Sequence, residues 1–203
     1  SGIGGTTVLE HIKQSIPNAQ YSYFMDNALL PYGAQSQQTI INRLCSLIHF
    51  IKANTLNVDL IVIACNTAST SALSAVRQMT DIPIVGVVPA IKPAAELTRS
   101  NHIGLLATPA TVASSYTKTL ITEHARNVTV NLYSSVELVT LAEQYFFTES
   151  LDTNKLHQVL DDLHIDKTID VLVLGCTHFP ILAEPISQYF EGNVKLLDSG
   201  VAI

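Results

Sequence analysis

Short runs of β-branched and other apolar residues alternate along this chain with longer amphipathic stretches. Most of the runs are apolar throughout, which is typical of strands that are covered on both faces of a parallel sheet. Seven strands are predicted, at residues 21–25, 60–64, 84–87, 102–107, 128–133, 171–175 and 194–197. Strands that alternate with helices predict an α/β fold with mostly parallel sheets.

Two of the intervening helices are well marked. Between Gln35 and Ala53, isoleucine and leucine recur at three- and four-residue spacing, which places them on one face of a helix. The stretch that follows Thr153 repeats this spacing. Both helices are therefore expected to pack an apolar face against a sheet.

The composition excludes several classes of protein. Of the 203 residues 47% are hydrophobic and 14% are charged, so a large core is expected and disorder is not. A net charge of −6 without any basic run argues against a nucleic-acid partner. No apolar run approaches the roughly 18–20 residues of a membrane helix.

Cysteine usage and the chain ends carry further expectations. Three cysteines and no secretory signal pattern favour reduced thiols in a cytoplasmic protein. The chain begins in a glycine-rich turn at Ser1 and stops in "LLDSGVAI", where another turn should open a helix. A somewhat longer protein is therefore expected.

Two segments of the chain follow the same plan. "LIVIACNTAST" (60–70) and "VLVLGCTHFP" (171–180) each consist of an apolar strand, a cysteine and hydroxyl residues that open a helix. Cys65 and Cys176 lie about one small α/β domain apart. The repeat predicts two similar domains that each deliver one cysteine to a shared cleft at the carboxyl ends of the strands. Two prolines within 86–94 suggest the boundary, with a first domain at 1–88, completed by the chain after 198, and a second at 89–197.

A thiol at the start of a helix can serve as nucleophile, metal ligand or proton-transfer base, because the helix dipole lowers its pKa. Alternatively, both cysteines are buried and act as small apolar side chains. With His178 they would supply three zinc ligands, and Cys176 with His178 could form a nucleophile pair. The pattern alone leaves these alternatives open, whereas Cys45 lies mid-helix and is expected to be ordinary packing.

Polar residues cluster in the turns after the strands. "CNTAST" (65–70) combines hydroxyl and amide side chains with free helix N–H groups, a suitable receptor for a carboxylate or a phosphate. "SGIGG" (1–5) resembles a phosphate-cradling turn, although a lone glycine cluster is weak support. "PYG" (31–33) and "DSG" (198–200) are further turns. Glu143 stands on a helix between apolar neighbours, as a solvated carboxylate or as a functional one.

The motifs "SGIGG", "PYG", "ACNTAS", "GVVPAIKPA", "LVTLAEQ" and "LGCTHFP" occur in the order and at the rough spacing that is found in glutamate racemases. The chain thus resembles these pyridoxal-independent members of the aspartate/glutamate racemase superfamily along essentially its whole length. The resemblance implies two α/β domains with the active site in the cleft between them. It also implies an isomerase without a cofactor and without a metal ion.

The resemblance implies specific roles for named residues. Cys65 and Cys176 would exchange protons with opposite faces of the substrate, and His178 and Glu143 would assist Cys176. The helper of Cys65 in the family is an aspartate immediately before the position of Ser1. The residues implied to bind the substrate's carboxylate and ammonium groups are Ser1, Pro31, Tyr32, Gly33, Asn66, Thr67 and Thr177.

The resemblance also implies a biological role, which is supply of D-glutamate for peptidoglycan in the cytoplasm. "GVVPAIKPAAELT" (86–98) is similar to the variety found in proteobacterial glutamate racemases, some of which are activated by UDP-N-acetylmuramoyl-alanine. The sequence leaves open whether the protein is a homodimer. The alternatives are an aspartate or broad-specificity racemase, a non-catalytic amino-acid-binding module, and a zinc hydrolase.

Overall fold

The computed structural model describes residues 2–54 and 57–200. Six parallel strands form two sheets, so the predicted α/β class with parallel sheets is confirmed. The first sheet pairs β1 (Ile61–Ile63) with β2 (Ile84–Gly86). The second has the order β4-β3-β5-β6, with β3 (His102–Ala107), β4 (Thr129–Ser134), β5 (Val171–Gly175) and β6 (Lys195–Asp198).

The parallel register brings the carboxyl ends of the second sheet to one edge. Ala107 at the end of β3 lies opposite Ser134 and Gly175, and Leu174 lies opposite Asp198. Residues that directly follow these strands therefore emerge side by side, at the edge where open α/β sheets bind their ligands.

The helices lie between the strands. Their bounds are α1 Gly5–Ser15, α2 Gln37–Ala53, α3 Asn66–Arg77, α4 Ile91–Leu97, α5 Pro109–Ala113, α6 Ser115–His124, α7 Glu137–Thr148, α8 Thr153–Asp162 and α9 Ala183–Tyr189, with 3₁₀ turns at Tyr32–Ala34 and Phe179–Leu182. The helix that was predicted from Gln35 begins two residues later, because the Ser36 side chain accepts the N–H of Thr39 and caps α2. The helix after Thr153 is confirmed, with Asp152 as its cap.

Each sheet has its own apolar core, and together they form two domains. In the first domain α2 and α3 bury Ile40 and Val76 over β1 and β2. In the second domain helices cover both faces of the sheet, with Ile91 and Leu105 in the core on one side and Leu160 and Leu172 in the core on the other. Burying one such side chain contributes about 1.5–3 kcal/mol. The boundary at 88/89 stays a prediction.

One predicted strand is wrong. Residues 21–25 form no strand, and Tyr21, Tyr23, Phe24 and Met25 are 36–43% exposed. A strand needs a neighbour that accepts its backbone hydrogen bonds, whereas β1 and β2 pair only with each other among the described residues. The other six predicted strands are confirmed to within two residues at their ends.

No helix in the described ranges is long and apolar enough to cross a membrane.

Candidate active site

The two cysteines that the sequence singled out end strands in different domains and line one cavity. Cys65 follows β1 and is the N-cap of α3, and Cys176 directly follows β5. Each is 7% exposed. Cys65 belongs to the core of the first domain and Cys176 to a core of the second.

The cavity between the domains is narrow. It holds about 10 Å³, which is about the room that one water molecule needs. A larger ligand, such as an amino acid, does not fit unless the lining side chains or the two domains move apart. The lining residues are Leu30, Pro31, Tyr32, Gly33, Cys65, Thr67, Val139, Cys176 and His178.

Cys176 is next to a histidine–carboxylate pair. Its Sγ lies 3.9 Å from Nδ1 of His178, whose Nε2 lies 2.7 Å from Oε1 of Glu143 on α7. The carboxylate fixes the tautomer, since it can only accept a hydrogen bond and Nε2 must donate it. The unprotonated Nδ1 of a neutral imidazole then faces the thiol and can accept its proton.

Burial sets the protonation states of this group. It raises the pKa of the Cys176 thiol from 9.0 to about 12, against the backbone N–H groups of His178 and Phe179, which lower it. Burial also lowers the pKa of His178, and the hydrogen bond that His178 donates to Glu143 opposes that shift. At neutral pH the pair therefore rests as a thiol beside a neutral imidazole.

Cys65 has a different neighbourhood. Its Sγ accepts the backbone N–H of Ala68 at 3.4 Å, at the first turn of α3. The free N–H groups and the dipole of this 12-residue helix favour negative charge at that position. The donor that the structure shows at the Cys65 sulfur is thus a backbone N–H group.

The wall of the cavity beside Cys65 is held by a second polar network. The Tyr32 hydroxyl donates to Oδ2 of the buried Asp26 at 2.6 Å, and Arg43 donates to both carboxylate oxygens at 2.8 and 2.7 Å. The hydrogen bonds from Arg43 are the main cause that lowers the pKa of Asp26. Burial and Asp26 raise the pKa of Tyr32 far above its ordinary value, so this network holds Tyr32 in place and carries no mobile proton at neutral pH.

Three buried threonines join the domains beside the cavity. Thr67 on α3 lies 2.7 Å from the Thr108 hydroxyl and 3.1 Å from that of Thr111. Next to Thr67, Asn66 is 1% exposed and donates from Nδ2 to Ser199 at 3.0 Å. Its Oδ1 is buried without a hydrogen-bond partner among the described residues. These groups form a hydroxyl and amide surface around the start of α3.

The structure brings together most of the residues that were implied by the resemblance. The two cysteines, His178, Pro31, Tyr32, Gly33 and Thr67 line the cavity. Glu143 lies behind His178, and Asn66 and Thr177 are buried beside the cavity without lining it. Ser1 lies outside the described residues. The roles of all these residues stay predictions.

Four residues near the site were missed by sequence reasoning, namely Asp26, Arg43, Thr108 and Thr111. A signal existed for the threonines, because "HIGLLATPAT" (102–111) also ends an apolar strand with a hydroxyl residue. The Asp26–Arg43 pair joins an irregular segment to α2, and no spacing rule connects the two.

No cluster of three or more His, Cys, Asp or Glu side chains within residues 2–54 and 57–200 could hold a metal ion.

Comparison with known proteins gives consistent matches. The Asp/Glu/Hydantoin racemase family matches residues 5–203. The glutamate racemase of Shewanella frigidimarina is 51% identical over 203 residues, which are 100% of this chain and 78% of that protein. The structure of Escherichia coli glutamate racemase with L-glutamate and the activator UDP-MurNAc-Ala has a TM-score of 0.92 at 41% identity, over 100% of this chain and 76% of that one. Campylobacter jejuni glutamate racemase gives 0.84 at 33% identity, over 100% and 80%.

Proposed function

The chain belongs to the Asp/Glu/Hydantoin racemase family, and on that premise we propose that it interconverts L- and D-glutamate by a two-cysteine acid–base mechanism. Its enzyme class is that of the glutamate racemases, an isomerase. The observation that carries the mechanism is that Cys65 and Cys176, from different domains, line one cavity.

The chemistry needs one base and one acid. The Cα–H of an amino acid is very weakly acidic, so inversion requires a base on one face of Cα and an acid on the other. A thiolate removes the Cα proton and leaves a carbanion, and the opposite thiol donates its own proton to the other face. The protein then holds one thiolate and one thiol with their roles exchanged, so protons and charge balance.

The neighbours of each sulfur support this exchange. When Cys176 must act as the base, its proton has an acceptor in Nδ1 of His178, which Glu143 supports through Nε2. When Cys65 is the thiolate, the N-terminus of α3 stabilises its charge. Which thiol serves which enantiomer is left open by this symmetry.

The start of α3 supports the role of carboxylate and ammonium receptor. Free N–H groups of the helix and the hydroxyls of Thr67, Thr108 and Thr111 suit a carboxylate. The unpartnered Oδ1 of Asn66 is an acceptor that suits an ammonium group. Asn66, Thr67 and the "PYG" residues are therefore proposed to hold the substrate.

The test is to replace each cysteine separately. Cys65→Ser and Cys176→Ser should each lower kcat at least about a hundredfold, the usual scale for a lost acid–base group. Circular dichroism follows the conversion of either enantiomer, without added pyridoxal phosphate. Cys45→Ser is the matched control, since Cys45 lies outside the cavity.

Near-normal kcat in either variant would remove the two-cysteine mechanism. Comparable kcat/KM for aspartate and glutamate would instead identify a broad-specificity racemase, since one methylene in an apolar pocket discriminates about 10–200-fold.

We further propose that the D-glutamate enters peptidoglycan synthesis in the cytoplasm, and that a peptidoglycan precursor activates the enzyme. The E. coli enzyme binds UDP-MurNAc-Ala as its activator, and it resembles this chain over 100% of this chain and 76% of its own length. A rise in kcat on addition of UDP-MurNAc-Ala, absent with UDP alone, would support activation, and unchanged rates would contradict it.

A further inference from the structure

The glycine-rich turn at residues 2–5 does not need glycine for its backbone conformation. Gly2, Gly4 and Gly5 supply three of its four residues, and all are buried. Gly4 has φ −56° and ψ −28°, which any residue adopts. None of the three has a positive φ, so left-handed geometry does not explain this composition.

What the turn requires is the absence of side chains. A methyl group on Gly4 would overlap the His178 ring, at 2.7 Å from Cε1 and 2.8 Å from Cγ. A methyl group on Gly2 would lie 2.8 Å from Oε1 of Glu143. The backbone of the first domain thus packs directly on the histidine–carboxylate pair of the second.

The turn is itself held in place. The Tyr23 hydroxyl donates to the Gly2 carbonyl at 2.8 Å and occupies the space that a side chain on Gly5 would need. The Thr7 hydroxyl lies 2.8 Å from the Gly4 carbonyl and 3.0 Å from the carbonyl of Thr177, in the segment between Cys176 and His178. The turn is therefore fastened both to its own domain and to the Cys176 segment.

The contact between the His178 imidazole and Cys176 tolerates only a small displacement of the ring. The distance of 3.9 Å between Cys176 Sγ and His178 Nδ1 is near the outer limit for a hydrogen bond to sulfur. A shift of a few tenths of an ångström away from the thiol would break this contact, whereas Glu143 restrains only the opposite side of the ring.

We propose that the glycine turn is a positioning element for the reaction, in which the bare backbone at Gly4 and Gly2 presses the His178–Glu143 pair into reach of Cys176. The inference rests on the proposed role of His178 as proton acceptor for Cys176. It assigns to the turn a task that is different from phosphate binding. It also makes Tyr23 a positioning residue that acts through its hydrogen bond to Gly2.

The experiment introduces Gly4→Ala in the intact protein, alone and together with His178→Ala. Gly4→Ala should lower kcat about tenfold or more, because misplacement by about 1 Å can cost a hundredfold. In the His178→Ala background, where no ring is left to displace, the same change should alter kcat less than about twofold, as a coupled pair requires. The decrease in melting temperature that Gly4→Ala causes on its own should also disappear in the His178→Ala background.

The matched control is Gly104→Ala in β3. A methyl group there would lie 2.6 Å from Cδ1 of Leu172 inside the second domain, so it introduces similar crowding away from the cavity. Its effects on melting temperature and kcat should be the same with and without His178. If Gly4→Ala lowered kcat and melting temperature equally with and without His178, the proposal would be overturned.

A readout independent of turnover is the ¹⁵N spectrum of histidine-labelled protein. The signal of His178 Nε2–H, assigned by its loss in His178→Ala, should move in Gly4→Ala and stay in Gly104→Ala. Tyr23→Phe removes the hydrogen bond to Gly2 without adding an atom, and should lower kcat about two- to fivefold only where His178 is present. An unmoved signal together with unchanged kcat in both variants would overturn the proposal, even if Gly4→Ala folds poorly.

The outcomes separate this inference from the proposed function. If either cysteine is dispensable, the two-cysteine mechanism fails. If both cysteines are required but His178→Ala leaves kcat unchanged in both directions, the mechanism stands and the positioning role is overturned.

Discussion

The surroundings of Cys176 and Cys65 differ although both thiols follow a strand, are equally buried and line the same cavity. Cys176 precedes a short 3₁₀ turn and has an imidazole at 3.9 Å, backed by Glu143. Cys65 caps a helix of 12 residues and accepts a backbone N–H. Each side also has a buried or half-buried carboxylate network.

The two networks differ in their capacity to move protons. Glu143 hydrogen-bonds to a histidine, whose ordinary pKa lies near neutrality. Asp26 hydrogen-bonds to Tyr32 and Arg43, neither of which exchanges a proton at neutral pH. Within the described residues, an imidazole that is able to accept a proton adjoins Cys176, whereas Cys65 adjoins the fixed backbone dipoles at the start of α3. Two thiols that follow the same sequence plan can thus have chemically different neighbours.

Among the changes that test this difference between the two thiols, His178→Asn should have the largest effect. It removes the proton acceptor of Cys176 alone, so kcat should fall by up to about a hundredfold, and by unequal factors in the two directions. Because the equilibrium constant between enantiomers is one, kcat/KM must fall equally in both directions. Progress curves from each pure enantiomer, measured by circular dichroism, give the separate constants.

His49→Asn on the exposed face of α2 is the control for this change, and should leave every constant as in the unmodified protein. Unchanged kcat in both directions for His178→Asn would remove the contrast between the two thiols.

Tyr32→Phe should have a smaller and different effect. It removes the hydrogen bond to Asp26 but leaves Arg43 as the partner of that carboxylate, so the free energy of unfolding should fall by about 0.5–1.5 kcal/mol. The pH profile of kcat should keep its shape, since the network moves no proton. Urea unfolding and rates between pH 6 and 9 measure both, with the exposed Tyr116→Phe as the control. A changed profile would mean that the Cys65 side also has a proton-transfer group.

The smallest effect concerns alkaline stability. Burial raises the pKa of Cys176 to about 12 in the folded protein, so above pH 9 the unfolded chain loses this thiol proton while the folded one keeps it. Stability contributed by the group is therefore present below pH 9 and falls as pH rises toward 12. Between pH 7.5 and 9.5, unmodified protein should lose about 0.8 kcal/mol more than Cys176→Ser.

The measurement is the free energy of unfolding in urea at both values of pH. Raised tyrosine pKa values act alike in both proteins and cancel in the difference. Cys45→Ser serves as the control for loss of a thiol, and parallel curves for Cys176→Ser and the unmodified protein would show that Cys176 is not held as a thiol by burial.

The sequence predicted those parts of the fold that depend on local pattern. Apolar runs such as 102–107 and 171–175 and the spacing of isoleucines in α2 report burial directly, and they were placed correctly. The run 21–25 has the same composition, yet it forms no strand. Strand formation depends on a partner for the backbone, and composition does not show whether that partner exists.

The sequence predicted those residues of the candidate site that lie just after a strand. Cys65, Cys176 and His178 follow directly from the position at which apolar runs stop, and the resemblance added Glu143. The Asp26–Arg43 pair and the contact of Gly4 with His178 are long-range packing facts. No residue type or spacing in either segment specifies them, so they required the structure.

A cavity of about 10 Å³ is too small for an amino acid, so the apparent affinity of such a ligand depends on how often the cavity widens, for example when the two domains part. If the parted form were populated about 1% of the time, a ligand would bind about a hundredfold more weakly than its contacts alone allow. Weakening an interdomain contact such as Thr67–Thr108 would then tighten binding of any molecule that makes no contact with those threonines. Inhibitor series measured on this protein would rank compounds by their fit to the parted form as much as by their fit to the two cysteines.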